Sequence, residues 1–365
     1  MKKTAQSPRY ISPMIPVMVL FLMLLCLLAS CELQSLAPGR ETTNDANTVY
    51  QPIEVTTTDP GETTTIQQTT TAPPTTTTAA PIAYFNPLTG LPCEGPASSY
   101  RPIAFTVNEA SGAQIAAADL VIEAPTEAEA TRLSLLGTAH TDIVADIRIA
   151  STRPYLAALA NDLFAISVYH GTSDRDEEST AFLYDTIDTK INPIEGTASA
   201  LKDTIAAVGY QQTIAGSIAL PYTLEKIGST VKPQKLVSTY ISIPFSDTTA
   251  SAFTYDTLAN AYTMRTCTAL LQDGTLPTFT NIIILFYDAT LRVSKDGSTL
   301  TLDTDLGGSG YYVTHGGAMP ILWRRDTETS RLIITDENDI PLTINRGKTY
   351  IGMTTFAQRN RLILN

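Results

Sequence analysis

Pro102-Ile-Ala-Phe-Thr-Val-Asn108 and Asp119-Leu-Val-Ile-Glu-Ala124 are short runs of β-branched and large apolar residues. Pro102, Asn108 and Asp119 mark their ends. Runs of this length and composition read as buried strands. Residues 131–138, 145–150 and 164–170 read the same way. Between them, 153–163 has helical spacing, with Leu156, Leu159, Ala160 and Leu163 on one face. The segment 173–187 opens with Ser173-Asp-Arg-Asp, an N-cap followed by an acidic first turn. Residues 197–208 and 221–227 read as two more helices. Strands alternating with helices predict a mixed α/β domain over 84–237.

Beyond 238 the pattern changes. Strand candidates follow one another at 238–243, 252–256, 261–266, 281–287, 299–303, 311–314, 321–325, 332–335 and 349–353. Asp273-Gly, Asp296-Gly and Gly316-Gly317 punctuate them as turns. This predicts a smaller, mainly antiparallel β domain over 238–356, with a tail at 357–365. The fold class is α+β.

Toward the N-terminus the chain reads as an export signal and a tether. Lys2, Lys3 and Arg9 form a basic start, an apolar stretch runs from about Ile11 to Ala29, and small residues close it. Leu28-Ala29-Ser30-Cys31 fits a lipobox, in which Cys31 is acylated and residues 1–30 leave as the signal peptide. Residues 31–83 are dominated by Thr and Pro, as in Thr-Thr-Thr-Ala-Pro-Pro-Thr-Thr-Thr-Thr at 69–78. With so few large apolar groups this segment cannot offset chain entropy, and it reads as a disordered stalk. Glycosylation of its threonines is left open. The expected location is the extracytoplasmic face of a cell membrane, of Gram-positive type, with the N-terminal lipid as the membrane contact.

The chain carries a net charge of −12, and loss of Lys2, Lys3 and Arg9 with the signal leaves −15. Such a surface repels phosphate backbones, which argues against nucleic-acid binding. With Cys26 in the signal and Cys31 acylated, Cys93 and Cys267 remain. They either form a disulfide or stay as two separate buried thiols.

An ordered set of motifs carries a family resemblance. Asn86-Pro-Leu-Thr-Gly-Leu-Pro92 opens it, followed by Arg101-Pro-Ile-Ala-Phe-Thr-Val-Asn108, Ala118-Asp-Leu-Val-Ile-Glu123, Thr131-Arg132, Ser151-Thr-Arg-Pro-Tyr155 and Tyr169-His-Gly-Thr-Ser173. Phe253-Thr-Tyr-Asp256, Gly308-Ser-Gly-Tyr-Tyr312, Pro320-Ile-Leu-Trp-Arg324 and Asn345-Arg-Gly-Lys-Thr-Tyr350 complete it. In this order they resemble the YerB-type lipoproteins, the DUF3048 family, over nearly all of 86–352. The resemblance implies a surface lipoprotein with distinct N- and C-terminal domains and no settled reaction. Where this family usually has a further arginine, Ala150 stands here, so a cationic cluster is thinner.

That cluster is the main chemical candidate. Arg132, Arg148 and Arg153 fall near strand ends or a helix start, where guanidinium groups and free backbone N–H groups favour an anion. Tyr155, His170, Ser173 and Glu123 complete the candidate set. A ligand site requires Arg132, Arg153 and His170 to converge in a concave pocket. If Glu123 or Glu127 caps the arginines instead, the cluster is scaffold. The leading function is a non-enzymatic lipoprotein that binds an envelope ligand or a protein partner. The alternative is an envelope transferase or hydrolase that grips a phosphate-bearing substrate through these arginines. His140, His170 and His315 stand in no zinc-type spacing, and no Gly-x-Ser-x-Gly elbow or cofactor motif occurs. Trp323 reads as core rather than a sugar platform.

Overall fold

The computed structural model describes residues 84–95, 100–127, 129–138, 147–171, 185–189, 198–214, 220–271, 273–295 and 297–365. Cys26, Cys31, the stalk, His140 and Ser173 lie outside these residues. The strands that matter here are β1 (Ile103–Val107), β2 (Leu120–Pro125), β3 (Thr131–Gly137), β4 (Ile166–Tyr169), β5 (Thr186–Asp188), β6 (Leu236–Val237), β7 (Tyr240–Pro244), β8 (Ala250–Asp256) and β9 (Ala261–Thr266). They continue with β10 (Thr278–Phe279), β11 (Asn281–Tyr287), β12 (Ala289–Ser294), β13 (Gly297–Leu302), β14 (Gly308–Thr314), β15 (Gly317–Arg325), β16 (Leu332–Thr335), β17 (Thr349–Thr355) and β18 (Ile363–Leu364). Three helices are α1 (Gly112–Ala117), α2 (Pro154–Asp162) and α3 (Ala198–Val208). No described helix is long and apolar enough to cross a membrane.

A mixed, eleven-stranded sheet forms the centre, in the order β6-β15-β14-β11-β17-β2-β3-β1-β4-β5, with β16 also beside β15. Its middle strands read as apolar runs because both faces are covered. In β11, Ile282, Ile284 and Phe286 enter one core while Ile283, Leu285 and Tyr287 enter the other. Strand β2 alternates in the same way, with Val121 on the first side and Leu120, Ile122 and Ala124 on the second. Each such side chain contributes roughly 1.5–3 kcal/mol by burial.

The first core is shared with a separate antiparallel sheet of five strands, β10-β9-β8-β7-β18. That sheet supplies Ile241, Ile243, Phe253, Tyr262 and Met264. The second core is closed by Leu156 and Leu159 of α2 and by Leu163, its C-cap. Arg153 is the N-cap of α2 and Pro154 fills its first turn, where a missing N–H costs nothing. The α+β class is therefore realised as a mixed sheet with few helices plus a second, antiparallel sheet. The central sheet takes strands from both sides of residue 238. Residues 357–365, read as a tail, form a 3₁₀ turn (Phe356–Arg361) and strand β18, which extends the small sheet beside β7.

Several local expectations are corrected. Residues 221–227 are not helical: Thr223–Leu224 pairs in parallel with Thr343–Ile344, so tertiary pairing overrides a weak local signal. Of the helix expected at 173–187, residues 173–184 lie outside the described residues, and Thr186–Asp188 is the edge strand β5. Residues 147–150 form no strand, and Ile149 only bridges Val107. Strand β12 and helix α1 went unread. The turn placed at Gly316-Gly317 is made by His315 and Gly316, both at positive φ of 49° and 73°. That suits a two-residue hairpin between β14 and β15.

Candidate functional site

Strand alternation decides which predicted residues meet. Arg132 on β3 pairs with Ala124 on β2, so it faces the α2 side. Glu123 pairs with Leu133 and faces the other core. A period of two thus separates Glu123 from the arginines.

On the α2 side Arg153 is 4% exposed and forms a two-point pair with Glu127: its Nε donates to Oε2 at 3.2 Å and its Nη2 to Oε1. Arg132 lies beside them. Its Nε donates to Asn108 Oδ1 at 3.1 Å and its Nη1 to the Ser151 carbonyl at 2.8 Å. Burial, then the neighbouring Arg153 charge, pushes the Arg132 guanidinium below its ordinary value. Partial burial of Glu127 opposes ionisation, but its hydrogen bonds to Arg153 and the charges of Arg153 and Arg132 hold its carboxyl below the usual range. The Tyr155 hydroxyl donates to the Pro125 carbonyl at 2.7 Å and fixes the start of α2. Arg132, Arg153 and Tyr155 therefore come together, with Glu127 as the cap.

Arg148 and His170 do not join them by any contact among the described residues. The Arg148 guanidinium is exposed, 3.9 Å from Glu109. His170 Nδ1 meets Thr189 Oγ1 at 2.9 Å on an exposed strand end.

On the opposite face Glu123 is fully buried. It accepts from Tyr350 Oη at 2.5 Å and Ser251 Oγ at 2.7 Å, and Cys267 Sγ lies at 3.5 Å. Burial pushes its carboxyl above the usual range against these hydrogen bonds. Burial and the Glu123 charge likewise push the Cys267 thiol well up, which makes it a poor nucleophile. Cys93 and Cys267, left open between a bridge and two separate thiols, are both free in this structure. Cys267 is committed to Glu123 in the core, while Cys93 sits in the short strand Pro92–Cys93 beside Tyr84–Phe85. Trp323 is core: its indole N–H donates to the Phe286 carbonyl at 3.1 Å.

An open cationic cleft lies elsewhere. It has a volume of about 410 Å³ and is lined by Arg101, Asn161, Phe164, Asp185, Gln211 and Arg331, among others. Arg101 precedes β1, Phe164 precedes β4 and Asp185 precedes β5, so neighbouring strands deliver all three to one edge of the sheet. Arg101 donates to the Phe164 carbonyl at 3.0 Å and to Asp185 at 2.5 Å. The exposed Arg331 guanidinium stacks on the Phe164 ring, 4.0 Å from its centroid. Phe164 holds a φ of +61°, a costly conformation for an aromatic residue. Among the described lining residues two guanidinium groups face one carboxylate, which gives the cleft positive character in an acidic protein. Sequence reading passed over this site, because nothing local joins residue 101 to residue 331. Among the described residues no group of three or more His, Cys, Asp or Glu could hold a metal.

Among the described residues, fold and site together define a two-sheet α+β protein with a closed arginine–glutamate pair and an open cationic cleft. The chain belongs to the DUF3048 family: residues 88–219 match the family's N-terminal domain and 241–351 its C-terminal domain, each described as of unknown function. It is 37% identical over 92 residues to YerB of Bacillus subtilis (strain 168), a protein named as a lipoprotein, covering 24% of this chain and 27% of that one. The crystal structure of the YerB protein from Bacillus subtilis superposes with a TM-score of 0.59 at 20% identity, covering 77% of this chain and 99% of that chain. At that identity the likeness concerns the fold.

Proposed function

We propose that this protein is a lipid-anchored, extracytoplasmic binding lipoprotein whose head holds a small anionic envelope ligand in the Arg101–Arg331 cleft. Cys31 anchors it and the Thr/Pro-rich stalk holds the head away from the membrane. The lipobox supports the anchor, as does the likeness to a protein named as a lipoprotein. The carrying observation is the Arg331 guanidinium stacked on Phe164 beside Arg101, which presents planar donors to an open cleft. Guanidinium groups held this way bind phosphate or carboxylate. Among the described lining residues the acid is Asp185, already bonded to Arg101, and this favours binding over proton-transfer chemistry.

The test is thermal melting of the full chain with inorganic phosphate or acetate, beside Arg331→Ala and Arg132→Ala. Stabilisation of the wild type and of Arg132→Ala is expected, with affinity for the better anion lost at least about tenfold in Arg331→Ala. Equal response of Arg331→Ala and the wild type would reject the cleft. Loss in Arg132→Ala alone would move the site to the α2 cluster.

A further inference from the structure

A second cleft, of about 320 Å³, opens between α2 and the hairpin of β12 and β13. Its size is near the lower end for ligand pockets, which span roughly 300–1,000 Å³. Three pieces of chain line it: Pro154 and Ala158 of α2, Thr290 and Arg292 of β12, and Asp303 and Asp305 of the loop after β13. Register sets the hairpin face. Thr290 stands opposite Thr301, which also lines the cleft, and Arg292 lies two residues along on the same side.

The walls are held by their own hydrogen bonds. The Asp303 carboxylate accepts from the backbone N–H groups of Asp305 at 3.0 Å and Leu306 at 3.3 Å, which fixes the loop. Arg325 Nε donates to the Thr304 carbonyl at 2.9 Å, and its Nη1 donates to both Asp162 oxygens at 2.7 and 2.6 Å. The loop is thereby tied to the far end of α2. At the near end the Tyr155 hydroxyl holds the Pro125 carbonyl. A site fixed in this way pays little ordering entropy on binding.

The lining selects a chemical class. Among the described lining residues two carboxylates face one guanidinium, so this cleft opposes the Arg331 cleft in sign and disfavours an anion. Among the described residues Arg292 forms no ion pair with either aspartate. The cleft therefore sets donor and acceptor groups of opposite charge around one small space, with threonine hydroxyls between them and apolar Pro154 and Ala158 on one wall. A single hydroxyl oxygen can donate to a carboxylate and accept from a guanidinium at the same time. A ring with several adjacent hydroxyls uses all of these groups, and its C–H face suits the apolar wall. A cationic amine would satisfy the aspartates but be repelled by Arg292.

We propose that this cleft binds an uncharged saccharide, with Arg292, Asp303 and Asp305 hydrogen-bonding its hydroxyls. The site is separate from the anion cleft and does not depend on it.

The test is saturation-transfer NMR on the full chain, in a detergent without a sugar headgroup, against glucose, galactose, mannose, N-acetylglucosamine and maltose. At least one of these sugars is expected to receive magnetisation from the protein. Its titrated affinity should fall at least about tenfold in Arg292→Gln and in Asp305→Asn. Leu291→Ala, on the opposite face of β12, should bind as the wild type does. All three side chains are exposed, so the sugar-free variants should melt with the wild type, and a loss of binding is then not a loss of fold. No transfer to any of the five sugars overturns the proposal. So does unchanged affinity in Arg292→Gln and Asp305→Asn, which would put the sugar elsewhere. Tighter binding of protonated glucosamine than of glucose would also overturn it, because the cleft would then be a cation site. Melting in phosphate or acetate reads the Arg331 cleft separately, and that reading stands or falls alone.

Discussion

Glu123 and Glu127 lie four residues apart and titrate in opposite directions. Glu127 meets Arg153 and is held ionised, so its contribution is present above the usual carboxylate range and fades as pH falls through its lowered value. Glu123 is sealed among Tyr350, Ser251 and Cys267, where burial favours the protonated form. The folded chain then binds a proton more tightly than the unfolded one. Stability should fall as pH rises from about 4.5, the ordinary value, through the raised value of Glu123. Glu123→Gln, which mimics the neutral acid, should remove that part of the fall and melt higher than the wild type at neutral pH. Melting curves across a pH series check it, and an unchanged slope would show that Glu123 is not the group responsible. The residue types at the arginine cluster were legible in the sequence. Their partners were only half legible: Glu127 was named as a cap, while Glu123 was assigned to the same side because strand phase at the bend after Pro125 is invisible without pairing.

At the scale of elements, α2 and the long strands were legible because their signals are internal. The 3.6 spacing of Leu156, Leu159 and Leu163 fixes a face, and β11 is apolar at nearly every position. Strand β12 was missed since its alternation, Thr290 and Arg292 against Leu291 and Val293, is short and both of its faces are exposed. Glycines set one further limit. A Cβ on Gly310 of β14 would stand 2.0 Å from the Ile284 carbonyl of β11, a backbone atom with no room to move. Gly310→Ala should split β14 from β11 and cost several kcal/mol, at the upper end of single substitutions. Gly274→Ala, at a turn with open space around it, should cost only about 1 kcal/mol through its positive φ. Urea unfolding of the two variants distinguishes clash from conformational strain, and similar losses would contradict the packing argument.

For the whole molecule, the change of character near 238 was real in the sequence, yet the central sheet crosses it. Strand β17 lies between β11 and β2, parallel to both, with Thr349 beside Leu120. Pairing between strands so far apart in sequence leaves no local trace, which is why neither this junction nor the Arg101–Arg331 cleft could be foreseen. A chain ending at residue 348 should therefore fail to give a soluble folded head, since two inner strands would become bare edges. Circular dichroism and sedimentation of that truncation check it, and a cooperative melt would refute it. The placement of β17 also has a kinetic meaning. A chain that emerges N-terminus first holds β2 early and must keep it from wrong partners until residue 355 has appeared. Such high contact order predicts slow folding on a scale of milliseconds or longer, and a head that becomes whole only when its last long strand threads into the middle.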